Sequence, residues 1–160
     1  MPQQPVVLMP GQWYFGRQPG RLRTLLGSCV ALTLWHRTQR VGGMCHYMLP
    51  ERSRSCDDAL DGRFADEALA MMVAEMPMYA TRPAEYDVHL FGGADTFPES
   101  AGIKFNIGQR NIETGWNLIE RYGFNLQSVD VGDCVPRTVT LDLGNGKVHV
   151  SRGRGTLLAR

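Results

Sequence analysis

Two short apolar runs separated by a polar turn predict an antiparallel pair of β-strands in the first third of the chain. Residues 30–35 form an almost unbroken apolar run of strand length, and residues 41–48 form a second run that carries two glycines. The residues between them, 36–40, are His-Arg-Thr-Gln-Arg, which is typical of a connection. Antiparallel pairing of the two runs would place the start of the first strand beside the end of the second.

Helical periodicity follows after a polar stretch over residues 51–61. Apolar residues at intervals of three and four predict an amphipathic helix that begins near residue 62, with Asp61 as its N-cap. Pro77 cannot continue a regular helix, so we expect an end or a kink just before it. The predicted buried stripe comprises Phe64, Ala68, Met71, Met72, Met76 and Tyr79.

A second helix is predicted over residues 106–122, and Gly123 supplies its C-terminal stop. Its predicted buried stripe comprises Ile107, Ile112, Trp116 and Ile119. Arg110 and Asn111 lie in its first turns. Two roles remain open for this polar pair: contact with a substrate, or hydrogen bonds that fix the preceding loop.

Short strands separated by turn residues account for most of the remaining chain. They are predicted over residues 13–15, 87–91, 124–131, 137–143 and 147–151, and Asn145-Gly146 is a two-residue hairpin signal between the last two. Residues 1–12 contain three prolines and are expected to form a loosely ordered lead-in. Strands that alternate with two helices, without a linker or repeat, predict a single α/β (α+β) domain spanning residues 1–160.

Composition narrows the function classes. The 160 residues carry a formal net charge of +1, whereas a nucleic-acid-binding domain usually shows a marked basic excess. No apolar run approaches the roughly 20 residues that span a bilayer, and the first residues lack the pattern of a secretory signal. We therefore expect a cytoplasmic protein that neither binds nucleic acid nor inserts into a membrane.

Basic residues precede the first apolar run. Residues 16–21 form a turn-rich loop, and Arg17, Arg21 and Arg23 lie in it or just after it. These side chains could be an ordinary solvated surface, or they could attract an acidic protein substrate. The pattern alone does not separate the two roles.

The chain has four cysteines, and three of them are expected to be buried structural residues: Cys45, Cys56 and Cys134. No Cys-x-x-Cys pair occurs and no histidine shows ligand spacing with a cysteine, so we predict no metal site. Cys29 differs because a Gly-Ser turn precedes it. If His46 faces Cys29, then Cys45 faces the opposite side of the strand.

The other histidines have structural interpretations. His89 and His149 lie in strand patterns with apolar neighbours, and His36 falls in the predicted turn, where solvent exposure is expected. Gly92 and Gly93 follow a strand, but the Walker and Gly-x-Gly-x-x-Gly patterns are both absent, so we predict no nucleotide cofactor. Glycines at this point instead permit a tight turn or close backbone approach.

Cys29 and His46 together have the chemistry of a thiol nucleophile and its base. A thiolate attacks a carbonyl carbon, and a nearby imidazole accepts the thiol proton and later protonates the leaving group. Cys29 lies just before the first predicted strand and His46 lies near the end of the second. Antiparallel pairing would therefore permit contact between them.

Several motifs in fixed order resemble the CheD family of bacterial chemoreceptor glutamine deamidases. They are Leu-Leu-Gly-Ser-Cys-Val-Ala at 25–31, Gly-Gly-Met-Cys-His-Tyr-Met-Leu-Pro at 42–50, Phe-Gly-Gly-Ala-Asp-Thr-Phe at 91–97, Asn-Ile-Gly-Gln-Arg-Asn at 106–111 and Gly-Lys-Val-His-Val at 146–150. The resemblance covers nearly the whole chain. It implies a layered sandwich of mixed β-sheets with helices outside, similar to cytotoxic necrotizing factor toxins.

The resemblance also implies a reaction. Cys29 would attack the side-chain carboxamide of a receptor glutamine, and His46 would handle the protons, giving a thioester that water hydrolyses to glutamate. The oxyanion would need preorganised donors. The backbone N–H of Cys29 is one, and the neighbouring residues Gly27, Ser28, Gly92 and Gly93 are candidates for oxyanion or substrate contacts. Hydrolysis near neutral pH would require an imidazolium partner that lowers the pKa of the thiol.

A third group is expected to orient the imidazole. No acidic residue lies between positions 24 and 50. The family uses a threonine shortly before the nucleophile, and Thr24 lies one residue closer to Cys29 than in the family pattern, with Arg23 at the ungapped position. Thr24 is the predicted orienting residue, and an ordinary strand or turn hydroxyl is its alternative role.

Two other functions remain open on the same residues. CheD-like proteins also resemble partners of CheC-type phosphatases, so the protein could act by docking with little turnover. It could also be a thiol hydrolase with a different amide substrate. Expected partners are therefore methyl-accepting chemotaxis receptors and, in the docking case, a CheC-type phosphatase.

Overall fold

The computed structural model describes residues 4–18, 20–95 and 106–153, and the description that follows concerns these residues. The predicted domain also includes residues outside these ranges, among them 96 and 97 of the 91–97 motif. The strands are β1 Val6–Leu8, β2 Trp13–Gly16, β3 Arg21–Leu26, β4 Val30–His36, β5 Val41–Tyr47, β6 Asp87–Gly92, β7 Asn125–Val131, β8 Arg137–Asp142 and β9 Val148–Arg152. The helices are α1 Ala65–Val73 and α2 Ile107–Tyr122, with short 3₁₀ turns at Met76–Tyr79 and Pro83–Glu85.

The strands form two mixed sheets that pack in layers. One sheet has the order β1-β3-β8-β9 and the other has the order β2-β5-β4-β6-β7. An apolar cluster of residues from both sheets, among them Leu22, Met44 and Leu141, lies between them. A second cluster joins the opposite face of the five-stranded sheet to both helices. The prediction of an α+β domain with layered mixed sheets and helices outside is confirmed.

Both faces of β4 and β5 are buried, which explains their almost continuous apolar sequence. Every residue of these two strands is buried, because one sheet face meets the helices and the other meets the four-stranded sheet. The two strands pair antiparallel, and Ala31 lies opposite His46. Cys45 belongs to the cluster on the helix side, whereas Cys29 packs against the cluster between the sheets. The predicted opposite orientation of Cys45 is therefore confirmed.

The N-terminal segment departs from its prediction. Val6–Leu8 is a strand that pairs parallel with β3, and Leu8 is buried, so the expectation of a loose lead-in is wrong there. β3 itself was not predicted. Arg21 and Arg23 belong to this strand, where inward and outward residues alternate, rather than to a loop. The error arose because arginines on the outward face obscured an alternating pattern.

The first helix begins later than predicted. Asp61 is not its cap, because the Asp61 carboxylate accepts hydrogen bonds from the backbone N–H and the guanidinium of Arg63. The cap residue is Phe64, whose side chain makes no capping hydrogen bond. Regular helix ends at Val73, and the chain continues into the 3₁₀ turn that contains Pro77.

The second helix follows its prediction except on one face. The Asn106 side chain accepts a hydrogen bond from Gln109 N at 3.0 Å, and Gly123 ends the helix with φ of 75°. Ile112 and Ile119 are buried, but Trp116 is 42% exposed, so its assignment to the buried stripe is wrong. The helix is seated through small residues instead, including Gly108 and Gly115.

Three further residues differ from their predicted environments. Cys56 and Cys134 are exposed rather than buried, since both lie in irregular segments of the surface. His36 is only 8% exposed, because it ends β4, lies against the edge of Tyr86 and faces the Glu85 carboxylate at 3.4 Å. Asn145-Gly146 lies within a loop closed between Asp142 and Lys147, which is longer than a two-residue turn.

Two structural properties of the described residues are relevant to function. None of their helices is both long enough and apolar enough to cross a membrane. No group of three or more His, Cys, Asp or Glu side chains among them is arranged to hold a metal ion.

Candidate active site

His46 is held in a chain of hydrogen bonds that starts at the backbone of β1. The Thr24 hydroxyl donates to the carbonyl oxygen of Leu8 at 2.7 Å. Its oxygen also lies 2.7 Å from Nδ1 of His46. Because the hydroxyl proton is committed to Leu8, Nδ1 must carry a proton and donate to Thr24. The chain therefore leaves Nε2 of His46 as the unprotonated acceptor.

The backbone of His46 is fixed by the same N-terminal segment. Gly11 N donates to the His46 carbonyl at 2.8 Å, and His46 N donates to the Gln12 carbonyl at 3.1 Å. Residues 8–12 thus contact this histidine through its side-chain relay and through both of its backbone polar groups. Nε2 is buried, and no group among the described residues pairs with it.

Cys29 lies in the connection between β3 and β4, on the same side of the five-stranded sheet as His46. The β4–β5 ladder begins at the pair Val30 and Tyr47, so Cys29 directly precedes β4 at the end of the ladder where His46 lies. Cys29 packs against the cluster that contains Ala31, the residue directly opposite His46. The fold therefore brings Thr24, His46 and Cys29 to one face, with Nε2 as the free imidazole nitrogen.

Two glycines at the end of β6 allow the chain to lie against the Cys29 connection. Gly93 N donates to the Cys29 carbonyl at 2.8 Å, and Ala94 N donates to the Gly27 carbonyl at 3.0 Å. Gly92 has φ of 106°, and a Cβ there would lie 2.3 Å from the Cys29 carbonyl oxygen. Gly93 has φ of 70°, and its Cβ would meet Ile112 at 2.4 Å.

These contacts change the predicted oxyanion site. The Gly93 amide is committed to the Cys29 carbonyl, so it cannot also donate to a reaction intermediate. The carbonyl of Ser28 accepts from the Asn111 side chain at 3.1 Å. Among the described residues, no backbone carbonyl accepts a hydrogen bond from the Cys29 amide. Gly92 acts here through close backbone packing, and Gly27 through its carbonyl, which accepts a hydrogen bond from Ala94 N.

Burial shifts the pKa values of Cys29 and His46 so that the neutral form of each group is favoured. It lowers the pKa of His46 from 6.5 to about 4, and the nearby Leu8 carbonyl, which favours the charged imidazole, opposes this only in part. It also raises the pKa of the half-buried Cys29 thiol. Both shifts run opposite to the expected thiolate–imidazolium pair, because burial favours the neutral thiol and the neutral imidazole.

Sequence reasoning missed the part played by the Leu8 carbonyl and left that of Asn111 open. A backbone carbonyl has no signature in the sequence, and the sequence predicts a loose lead-in where β1 lies. Asn111 is fully buried, whereas Arg110 is exposed. The helical spacing of Asn111 from Ile107 and Ile112 could have indicated its inward direction.

Comparison with known proteins identifies the family. The model of the family described as "CheD chemotactic sensory transduction" matches residues 48–152. The chain belongs to the CheD family. That match begins after His46, so it leaves out Thr24, Cys29 and His46.

Full-length relatives extend the similarity over the site. "Probable chemoreceptor glutamine deamidase CheD" of Pseudomonas syringae pv. tomato is 44% identical over 91% of this chain and 87% of its own length. A protein of the same name from Methanococcus maripaludis is 36% identical over 86% of this chain and 88% of its own length. Among solved structures, Bacillus licheniformis hypothetical protein YfiH is similar over 73% of this chain and 49% of that chain. Its TM-score of 0.46 and identity of 9% are too low to carry an argument.

Proposed function

We propose that this CheD protein is a chemoreceptor glutamine deamidase in which Cys29 is the nucleophile and His46 is the general base and acid. The observation that carries the proposal is the hydrogen-bond chain from Leu8 through Thr24 to His46. It presents one unprotonated imidazole nitrogen on the sheet face where Cys29 lies. The names of the relatives supply the substrate class.

The first half-reaction transfers the acyl group to sulfur. Nε2 of His46 accepts the Cys29 thiol proton as Sγ forms a bond to the carboxamide carbon of glutamine. Since burial favours the neutral forms of both groups, we propose that this proton moves during the attack rather than before it. The tetrahedral intermediate then collapses, its C–N bond breaks, and ammonia leaves with the proton from Nε2. A thioester and a neutral imidazole remain.

The second half-reaction consumes water. Nε2 accepts a proton from the water whose oxygen attacks the thioester carbon. The C–S bond breaks, the proton returns to sulfur, and glutamate is released. In both half-reactions Nδ1 of His46 keeps its proton and donates it in a hydrogen bond to the Thr24 oxygen. This bond stabilises the imidazolium that forms transiently. The Cys29 N–H, to which no backbone carbonyl of the described residues is bonded, is the proposed donor to the oxyanion.

The site does not favour docking without turnover. Hydrolysis requires a buried imidazole held in one tautomer on the sheet face that carries a thiol, and docking requires neither. A CheC-type phosphatase stays a proposed second partner. Cytoplasmic location is also part of the proposal, since all four cysteines are free thiols as expected in a reducing compartment.

The test is mass spectrometry of a receptor cytoplasmic fragment after incubation with the protein or with Cys29→Ala. Each conversion of glutamine to glutamate adds about one mass unit, and peptide mapping locates it. We expect conversion by the parent and none by the variant. Conversion by both proteins would remove Cys29 from the mechanism. Absence of conversion on a competent receptor would favour docking, and release of ammonia from other amides would favour a different substrate.

A further inference from the structure

Asn111 bridges the two chain segments that carry the reacting residues. Its side-chain Nδ2 donates to the Ser28 carbonyl at 3.1 Å and to the Met48 carbonyl at 2.9 Å. Ser28 precedes Cys29 by one residue, and Met48 follows His46 by two. The Asn111 amide group therefore donates one hydrogen bond to the segment that carries Cys29 and one to the segment that carries His46.

The bridge lies where the sheet stops holding these segments. The β4–β5 ladder ends at the pair Val30 and Tyr47, so positions 28 and 48 lie beyond it. Within the ladder, backbone hydrogen bonds fix the separation of the strands. Beyond the ladder, the Asn111 side-chain amide donates a hydrogen bond to each of the two segments.

The bridge is anchored rigidly to the core. Asn111 is fully buried, and its backbone carbonyl accepts a hydrogen bond from the Tyr47 hydroxyl at 2.6 Å. α2 also lies close to the Cys29 side of the site, since a Cβ on Gly108 would lie 2.6 Å from the Gly93 carbonyl oxygen. A helix seated this closely can transmit a fixed position to the two carbonyls that its side chain holds.

We propose that Asn111 is a positioning residue of the deamidase, which sets the distance between Cys29 and His46 by clamping the Ser28 and Met48 carbonyls. The inference rests on the proposed function, because it takes Cys29 and His46 as the reacting pair. It assigns Asn111 no contact with substrate. Attack by sulfur requires the thiol and the base in near-attack geometry, and a displacement of about 1 Å can reduce a rate by about 100-fold. The clamp acts on chemistry more than on binding.

The experiment compares Asn111→Ala with Thr81→Val. Thr81 is a buried residue with hydrogen bonds to the Met76 carbonyl and the Tyr86 hydroxyl, so its loss also leaves buried polar groups unpaired, but away from the site. Four quantities are measured for each: kcat and KM on the receptor fragment, the rate of Cys29 alkylation by iodoacetamide without substrate, and Tm. Assays run at least 10 °C below the lowest Tm.

We expect Asn111→Ala to lower kcat by about 30-fold with KM changed less than about threefold, and to change the alkylation rate of Cys29. Thr81→Val is expected to lower Tm comparably and to leave kcat and alkylation unchanged. Equal effects of the two variants on kcat would overturn the clamp and leave Asn111 a stability residue. If Cys29→Ala keeps deamidase activity in the same assay, the proposed function fails first, whatever Asn111 does.

Tyr47→Phe provides a milder variant should Asn111→Ala not fold. It removes the hydroxyl that holds the Asn111 carbonyl and keeps the ring volume. The clamp predicts a fall in kcat of about threefold at unchanged KM. A kcat equal to that of the parent, in a folded Tyr47→Phe protein, would contradict rigid transmission through Asn111.

Discussion

The two halves of the candidate site are held in different ways. On the histidine side, a side-chain hydroxyl relays a hydrogen bond from the Leu8 carbonyl to Nδ1 of His46. On the nucleophile side, backbone groups of Gly93 and Ala94 hold the Cys29 connection at a distance that only glycine permits. The first arrangement fixes where a proton lies, and the second fixes where an atom lies.

This difference predicts different responses to change. Altering the histidine side should alter protonation and the tautomer, while leaving backbone positions nearly intact. Altering the nucleophile side should displace sulfur without changing any proton's position. Four predictions test the contrast, beginning with the largest expected effect.

The histidine side should make folding stability depend on pH. The pKa of His46 is lowered to about 4 in the folded protein, so between pH 6.5 and 4 the unfolded chain binds more protons than the native one. The contribution of His46 to the free energy of unfolding is therefore fully present above pH 6.5. It declines by about 3 kcal/mol in all as the pH falls toward 4. Urea unfolding at several pH values checks this, and His46→Gln should flatten the decline. Parallel curves for both proteins would contradict it.

The nucleophile side should not tolerate a methyl group at Gly92. A Cβ there overlaps the Cys29 carbonyl, and φ of 106° adds backbone strain. We expect Gly92→Ala to lower kcat by about 100-fold. Gly123→Ala is the matched control, because Gly123 also has positive φ but its Cβ would meet nothing within 4 Å. Gly123→Ala should lower the free energy of unfolding by about 1 kcal/mol and keep its kcat. Urea unfolding measures the first quantity, and steady-state assays of both variants measure the second.

Removing the relay hydroxyl should reduce turnover while the fold survives. Thr24→Val leaves Nδ1 of His46 without its acceptor and the tautomer unfixed, so we expect kcat to fall about 30-fold, with recovery in Thr24→Ser. Thr33→Val is the control, since the buried Thr33 hydroxyl has no partner among the described residues. An unchanged kcat in Thr24→Val would show that Thr24 is an ordinary strand residue.

The smallest effect is expected at Gln12, in the exposed turn that follows β1 on the histidine side. The Gln12 side chain accepts a hydrogen bond from Met9 N at 2.9 Å in an exposed turn. Gln12→Ala should cost at most about 1 kcal/mol of stability and lower kcat less than threefold, because the backbone bonds to His46 remain. Thermal unfolding and the deamidase assay measure both. A loss as large as that of Thr24→Val would mean that this turn controls the relay.

Local pattern was sufficient for the central strands and for α2. β4 and β5 are buried on both faces and have continuous apolar sequence, so they could be predicted almost to the residue. Asn106 and Gly123 carry the cap signals of α2 in their own side-chain and backbone chemistry. β1 and the burial of His36 could not be predicted this way, because each depends on a partner element distant in sequence.

The sequence by itself determined which residues could do the chemistry: one cysteine after a Gly-Ser turn, one histidine at the end of the paired strand, and one threonine before them. Their protonation was decided only by tertiary structure. Burial between two sheets favours the neutral forms of Cys29 and His46. The Leu8 carbonyl, from a strand that no pattern indicated, directs the Thr24 hydroxyl and so selects the tautomer. Such contacts join backbone atoms across the fold, and a backbone carbonyl is the same in every residue.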